Sequence, residues 1–296
     1  MASLWHLLGP PVTDAEEEAF LVFSHTFPSQ TLGFLDPKAS TLDLTVAGRD
    51  LTIHQSRGLL TSDRKEGTTG AVVWKVTPLF AEWIASPNFL SQHGYLTSST
   101  IAVELGAGVS GIVALSLSPQ IKKYVATDQD YVLRLLRQNI TENLPAVTPK
   151  ASKKRTTRHK KDRGSDGLLS PNIETFALDW ETDSVVGLTS LLKEGQTGDE
   201  TTVGGVDLVI ACDCIYNDAL IEPLNSTCAQ ICRLRPESHD KPTLCLIAQQ
   251  LRSPEIFESW LASFNRYFHV YRVPDALITE SFSEKSGLVV HVGVLR

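Results

Sequence analysis

The chain has no run near the roughly 18–20 apolar residues that a membrane-spanning helix needs, so no segment reads as a helical span. It begins Met-Ala-Ser-Leu-Trp-His, without a basic end leading into an apolar stretch, and no secretory signal is expected. Five cysteines are an odd set, and three lie in or beside apolar segments. They read as reduced core thiols of a cytoplasmic or nuclear protein, not as a disulfide framework. Cys212 and Cys214 straddle Asp213, and Cys228 and Cys232 stand four apart, but no His/Cys set has complete metal-ligand spacing. His54, His159, His239, His269 and His291 fall into no local catalytic pattern. A formal net charge of −7 argues against nucleic-acid binding by the chain as a whole.

What is present is an ordinary globular composition: 296 residues, 42% hydrophobic and 21% charged, enough for one large domain with additions. The most informative stretch is Ile101-Ala-Val-Glu-Leu-Gly-Ala-Gly-Val-Ser-Gly111, a buried strand running into a glycine turn and a helix. The next strand ends Val-Ala-Thr-Asp128. An acid at the tip of the second strand of such a unit is placed to hold the hydroxyls of a ribose. Gly106 and Gly108 permit a tight turn and close backbone approach to a ligand. Glu104, just before that turn, would repel a pyrophosphate but suits a cationic, amino-bearing ligand. S-adenosylmethionine carries a sulfonium and an ammonium and has no phosphate, so it fits this pattern better than a dinucleotide.

Along the chain, residues 12–25 read as a short helix. Thr41–Val46 and Leu51–His54 alternate with period two around a turn and predict a hairpin. Residues 72–84 read as helical, with Pro78 setting a boundary. From residue 101 on, strands are expected at 101–105, 122–127, 172–177, 206–212, 243–249, 267–273 and 288–294. Helices are expected at 110–117, 129–140, 219–233 and 254–264. Alternating strands and helices predict a mostly parallel sheet covered on both faces, with a hairpin at its end. Residues 142–170 break the pattern with eight Lys and Arg between Lys150 and Arg163. This block reads as a disordered basic insertion. It reads as a solvated loop, or alternatively as a contact for an acidic surface or for RNA such as ribosomal RNA, or as a nuclear import signal; no aromatics interleave its basic residues, so base stacking is not supported.

Five motifs occur together: Gly67-Thr-Thr-Gly-Ala-Val-Val-Trp74, Val103–Gly111, Ala126-Thr-Asp128, Leu178-Asp-Trp180 and Asp213-Cys-Ile-Tyr216. In this combination the chain resembles the seven-strand S-adenosylmethionine-dependent methyltransferases, and within them the lysine-specific protein methyltransferases. The resemblance implies an α/β, Rossmann-like seven-strand fold with an N-terminal β-hairpin extension, divided as residues 1–66 and 67–296. It implies that Trp74, Glu104, Gly106, Ala107, Gly108, Asp128, Asp179, Trp180 and Cys212 bind the cofactor. Asp128 would take the ribose and Asp179 the adenine amino group. Asp213 and Tyr216 would be catalytic, Asp213 drawing in a lysine ammonium and Tyr216 lining the lysine channel. The hairpin and basic insertion resemble the branch acting on ribosomal proteins, which implies a protein substrate; a monomer is expected because one sheet and its helices account for the length, and no metal is expected because methyl transfer needs none.

Plainer readings stand beside these. Trp74 sits among Val72, Val73 and Val76, as a packed core tryptophan would. Asp179 is also a loop or capping acid, and Asp213 with Tyr216 is also a cap and a packed ring. A translation factor, a chaperone or a small amine is an alternative acceptor. A non-catalytic binding module and a nicotinamide-dependent reductase are alternatives of other classes, the latter lacking a convincing Tyr-x-x-x-Lys.

Overall fold

The structure, a computed structural model, describes residues 3–25, 33–61, 68–148, 172–192, 205–236 and 241–296. Two strands, β1 (Thr41–Val46) and β2 (Arg49–His54), form the antiparallel hairpin. Seven more form the central sheet: β3 (Ile101–Leu105), β4 (Lys123–Asp128), β5 (Ile173–Ala177), β6 (Leu208–Cys212), β7 (Leu244–Gln250), β8 (Phe268–Arg272) and β9 (Leu288–Leu295). Their order is β5-β4-β3-β6-β7-β9-β8. The first five are parallel, while β9 runs antiparallel between β7 and β8.

The main helices are α1 (Ala15–Phe23), α2 (Val76–Ala85), α3 (Ile112–Leu117), α4 (Asp130–Val147), α5 (Ile221–Cys232) and α6 (Pro254–Tyr267). Alternate residues of each strand face opposite ways, so the sheet divides the core in two. Ala102, Tyr124, Ala126, Ile210 and Leu246 pack with Phe80, Ile112, Leu133 and Leu136 on one side. Val103, Val125, Val209 and Ile247 pack with Leu224, Cys228, Phe257 and Trp260 on the other. Both faces being covered explains why β3 and β6 are buried at every position.

The chain moves outward from β3 through β4 to β5, then returns to place β6 on the other side of β3. The carboxyl ends of β3 and β6 therefore flank a crevice, the place where open α/β sheets take ligands.

Helix α4 runs to Val147 instead of ending at 140, so the expected insertion at 142–170 begins inside it. Asn139, Ile140, Asn143 and Val147 are buried and carry the inward stripe forward. Pro145 sits near the end, where losing one N–H disturbs little. The basic residues from Lys150 to Arg163 lie outside the described residues.

Asn139 and Asn143, one turn apart on α4, meet β2. Asn143 accepts from the Thr52 amide (2.8 Å) and donates to the Thr52 carbonyl (2.9 Å). Asn139 does the same for His54 (2.8 and 2.9 Å) and also donates to the Val109 carbonyl at 2.7 Å. Two side-chain amides thus take the hydrogen bonds that a third strand would take. Val46, Leu51 and Ile53 of the hairpin belong to the same core cluster as α2 and α3.

Candidate functional site

The crevice holds a cavity of about 370 Å³. Its floor is the glycine turn after β3. Gly106 and Gly108 have φ of +66° and +61°, the left-handed region that glycine occupies without strain. A β-carbon on Gly106 would stand 2.7 Å from Cys214 Sγ and 3.1 Å from the Trp180 ring; one on Gly108 would stand 3.2 Å from the Gly70 carbonyl. The turn is bare because neighbours already crowd it. Gly70 also accepts from the Val109 amide at 2.8 Å, which pins the Thr69–Ala71 turn over the loop as a front lip.

Asp128 ends β4 and holds this turn. Its Oδ2 accepts from the Gly108 amide and its Oδ1 from the Gln129 amide, both at 2.8 Å. Burial pushes its carboxyl up to about 6, against the lowering effect of those two amides. Asp179 lies beside it through Gln129, whose Nε2 donates to Asp179 Oδ2 at 2.8 Å. Asp179 Oδ1 accepts from the Glu181 amide at 2.9 Å, so the plainer loop-acid reading and the place in the cavity wall both hold, while no helix starts there for it to cap. Trp180 follows, its ring against Gly106.

Glu104 is 2% exposed and does not line the cavity. Its Oε2 accepts from the Tyr124 hydroxyl at 2.9 Å. Burial raises its carboxyl to about 8; the Tyr124 bond opposes the shift and the nearby Asp128 adds to it. Cys212 and Cys214 line the cavity, and burial pushes both thiols well above their ordinary value, so neither is an available nucleophile. All five cysteines are buried and unpaired.

Asp213 and Tyr216 close the other end. Asp213 has φ +59°, rare for a residue with a side chain, and its amide donates to the Ala248 carbonyl at 2.7 Å. Its carboxylate is not bare. Arg252 donates Nη1 to Oδ1 at 2.8 Å and Nη2 to Oδ2 at 2.5 Å, and the Gln250 amide adds a bond at 3.2 Å. The Arg252 guanidinium lies 5.0 Å from the centre of the Trp74 ring, and Phe34 packs on Trp74 at 4.5 Å. Trp74 is thus half-buried in the wall with its Nε1 donating to the Thr69 carbonyl at 3.0 Å. Tyr216 is 38% exposed at the mouth, and its hydroxyl accepts from Thr69 Oγ1 at 3.1 Å. Desolvation holds this phenol above its ordinary value, partly offset by Thr69.

The structure therefore brings Trp74, Gly106, Ala107, Gly108, Asp128, Asp179, Trp180, Cys212, Asp213 and Tyr216 to one cavity. Sequence reasoning missed Arg252, Gln129 and Thr69. Arg252 lies two residues beyond β7 and 39 positions from Asp213, with no local motif to mark it. Asp128, Asp179, Glu181 and Asp213 line the cavity, and among the described residues no Lys or Arg does. Such a wall rejects phosphates and suits a ligand with hydroxyls, an amino group and positive charge. Together with the bare glycine cradle, this fits S-adenosylmethionine. Among the described residues no group of three or more His, Cys, Asp or Glu could hold a metal, and no helix is long and apolar enough to cross a membrane.

The profile of the family described as lysine methyltransferase matches residues 53–161. Ribosomal lysine N-methyltransferase 5 of Zygosaccharomyces rouxii is 31% identical over 253 residues, covering 80% of this chain and 76% of that protein. Its counterpart in Vanderwaltozyma polyspora is 30% identical, covering 90% and 93%. A Schizosaccharomyces pombe protein named diaminohydroxyphosphoribosylamino-pyrimidine deaminase is 29% identical over 88% of this chain, which spans about half of that protein (53%).

Proposed function

The chain belongs to the S-adenosylmethionine-dependent lysine methyltransferases, the family that includes ribosomal lysine N-methyltransferase 5, and from this we propose that it methylates a lysine of a large-subunit ribosomal protein. The observation that carries the reading is the cavity itself: the carboxylates of Asp128, Asp179 and Glu181, no Lys or Arg among the described lining residues, a glycine floor, and Tyr216 at its open end. The cofactor supplies a methyl group made electrophilic by a sulfonium sulfur.

In this proposal Asp128 holds the ribose hydroxyls, Asp179 the adenine amino group, and Trp180 lies beside the ring. The Gly106-Ala107-Gly108 backbone and Cys212 form the close wall, Glu104 supplies negative charge for the ammonium from beneath it, and Trp74 excludes water. A lysine amine attacks only with a free lone pair, and most lysine is protonated near pH 7. Sequence reasoning gave Asp213 the task of attracting the ammonium. Its two bonds to Arg252 offset that charge, so the proposed task changes. The Asp213–Arg252 pair forms a fixed, nearly neutral wall that does not favour the protonated amine. Tyr216 orients the amine at the mouth, and the proton leaves to water. Orientation supplies much of the rate.

The proposed organisation is a methyltransferase unit, 67–296, with residues 1–66 as an extension. The basic residues 150–163 are proposed to contact ribosomal RNA, in a monomer, with a cytoplasmic location and access to the nucleus. The test is transfer of labelled methyl from S-adenosylmethionine into large-subunit ribosomal proteins from cells lacking this enzyme. One labelled band, absent with Asp213→Asn, supports the reading. Label only in a non-ribosomal fraction would move the target to a translation factor, a chaperone or a small amine. No label with intact cofactor binding would leave a binding module.

A further inference from the structure

A second, smaller cleft of about 60 Å³ opens beside the mouth and shares Tyr216 with the main cavity. Its walls include Ile215, Ile256 and Phe257, and its polar side is Gln249 and Arg252 at the carboxyl end of β7. Two donors of these residues have no partner among the described residues: Gln249 Nε2 and Arg252 Nε. Gln249 is only 2% exposed. A buried donor left unpaired is costly, and both atoms are closed to solvent in this structure, so a small side-chain shift that meets an acceptor entering the cleft is favoured. The Arg252 terminal nitrogens are already spent on Asp213 and Gln250. The cleft thus presents hydrogen-bond donors with little net charge, against apolar walls.

We propose that this cleft is a peptide subsite that takes the residue adjoining the acceptor lysine, binding its neutral backbone carbonyl at Gln249 and Arg252 and a small side chain against Ile215 and Ile256. The inference rests on the lysine-methylation reading above. A carboxylate would need an uncompensated cation, which Asp213 denies it. A large side chain exceeds the volume. Since the cleft adjoins Tyr216, a chain whose lysine enters past Tyr216 lays its next residue here. The subsite sets sequence preference without touching the cofactor cavity.

The experiment uses the full-length enzyme and the ribosomal protein labelled by the wild type, its methylated lysine located by mass spectrometry. Ile256→Trp fills the cleft and Gln249→Leu removes one donor. The KM for the protein substrate is expected to rise about tenfold for the first and about fivefold for the second, with S-adenosylmethionine affinity unchanged. Replacing the small residue beside the target lysine by Leu should cost the wild type a similar factor, and Ile256→Ala should recover most of it. A purely structural role for Ile256 would not yield that matched recovery. Wild-type KM values in both variants, or equal losses on every substrate without recovery by Ile256→Ala, would overturn the subsite. Absence of any label with the wild type would instead sink the methylation reading, and the subsite with it.

Discussion

Asp213 combines a left-handed backbone with a buried carboxylate held by Arg252. A strained residue of this kind persists only when its surroundings hold it, and such residues gather at working sites. Asp213→Asn keeps the shape but loses the ion pair. Methyl transfer should fall on the order of 10²-fold through misplacement of the wall, with the dissociation constant for S-adenosylmethionine little changed. Asp213→Ala should in addition lower stability by up to about 3 kcal/mol, a figure discounted because Arg252 keeps 21% exposure. Thermal unfolding of both variants beside a labelled-methyl assay separates the two effects. The sequence made Asp213 and Tyr216 visible because they lie three apart at a strand end. It hid Arg252 because the pair is made across the sheet, between residues whose neighbours carry no shared pattern.

Glu104 makes a second residue-scale prediction. Its carboxyl, near 8 in the free protein, is uncharged over much of the neutral range. A cationic ligand favours the ionised form. Affinity for S-adenosylmethionine should therefore increase as pH rises through about 6 to about 8, with a proton released on binding. Calorimetry in two buffers of different ionisation enthalpy measures that release. Glu104→Gln should abolish most of it and bind more weakly at the upper end. An unchanged proton count in the variant would remove Glu104 from ligand binding.

Among the elements, α4 does the most with the fewest residues. Asn139→Ala would strand the His54 amide and carbonyl and the Val109 carbonyl together. A loss of about 2–4 kcal/mol is expected, readable in urea unfolding, and greater than for an exposed position on the same helix. The strands were legible almost to the residue, since unbroken apolar runs bounded by glycine and polar loops admit few other readings. The length of α4 was not. Its last turns contain Glu142, Asn143 and Pro145, residues that argue locally for a loop, and only burial of Asn143 and Val147 against distant segments carries the helix on.

At the scale of the whole molecule, two buried acids with raised pKa values contribute a pH response of their own. Glu104 and Asp128 hold protons in the folded state that the unfolded chain has already released between about 4 and about 8. The folded state binds more protons at these two groups there, so their contribution to the stability of the ligand-free protein should fall as pH rises, most clearly above about 5, where the lowered acids such as Glu18 are ionised in both states. Melting temperatures across the range, with and without S-adenosylmethionine, should diverge toward high pH. Glu104→Gln should flatten the ligand-free curve. Removing residues 150–163 should reduce transfer to intact ribosomal subunits more than to free ribosomal protein, the outcome expected of a basic segment that guides docking.

The asparagine seam on α4 has one more effect. A two-stranded hairpin ordinarily offers its outer rim to any extended chain that comes by, and that rim is how such pieces seed fibres. Here the β2 rim at Thr52 and His54 is occupied by amides that belong to a helix and cannot be copied outward. The hairpin is terminated on that side by a surface that no further strand can template upon.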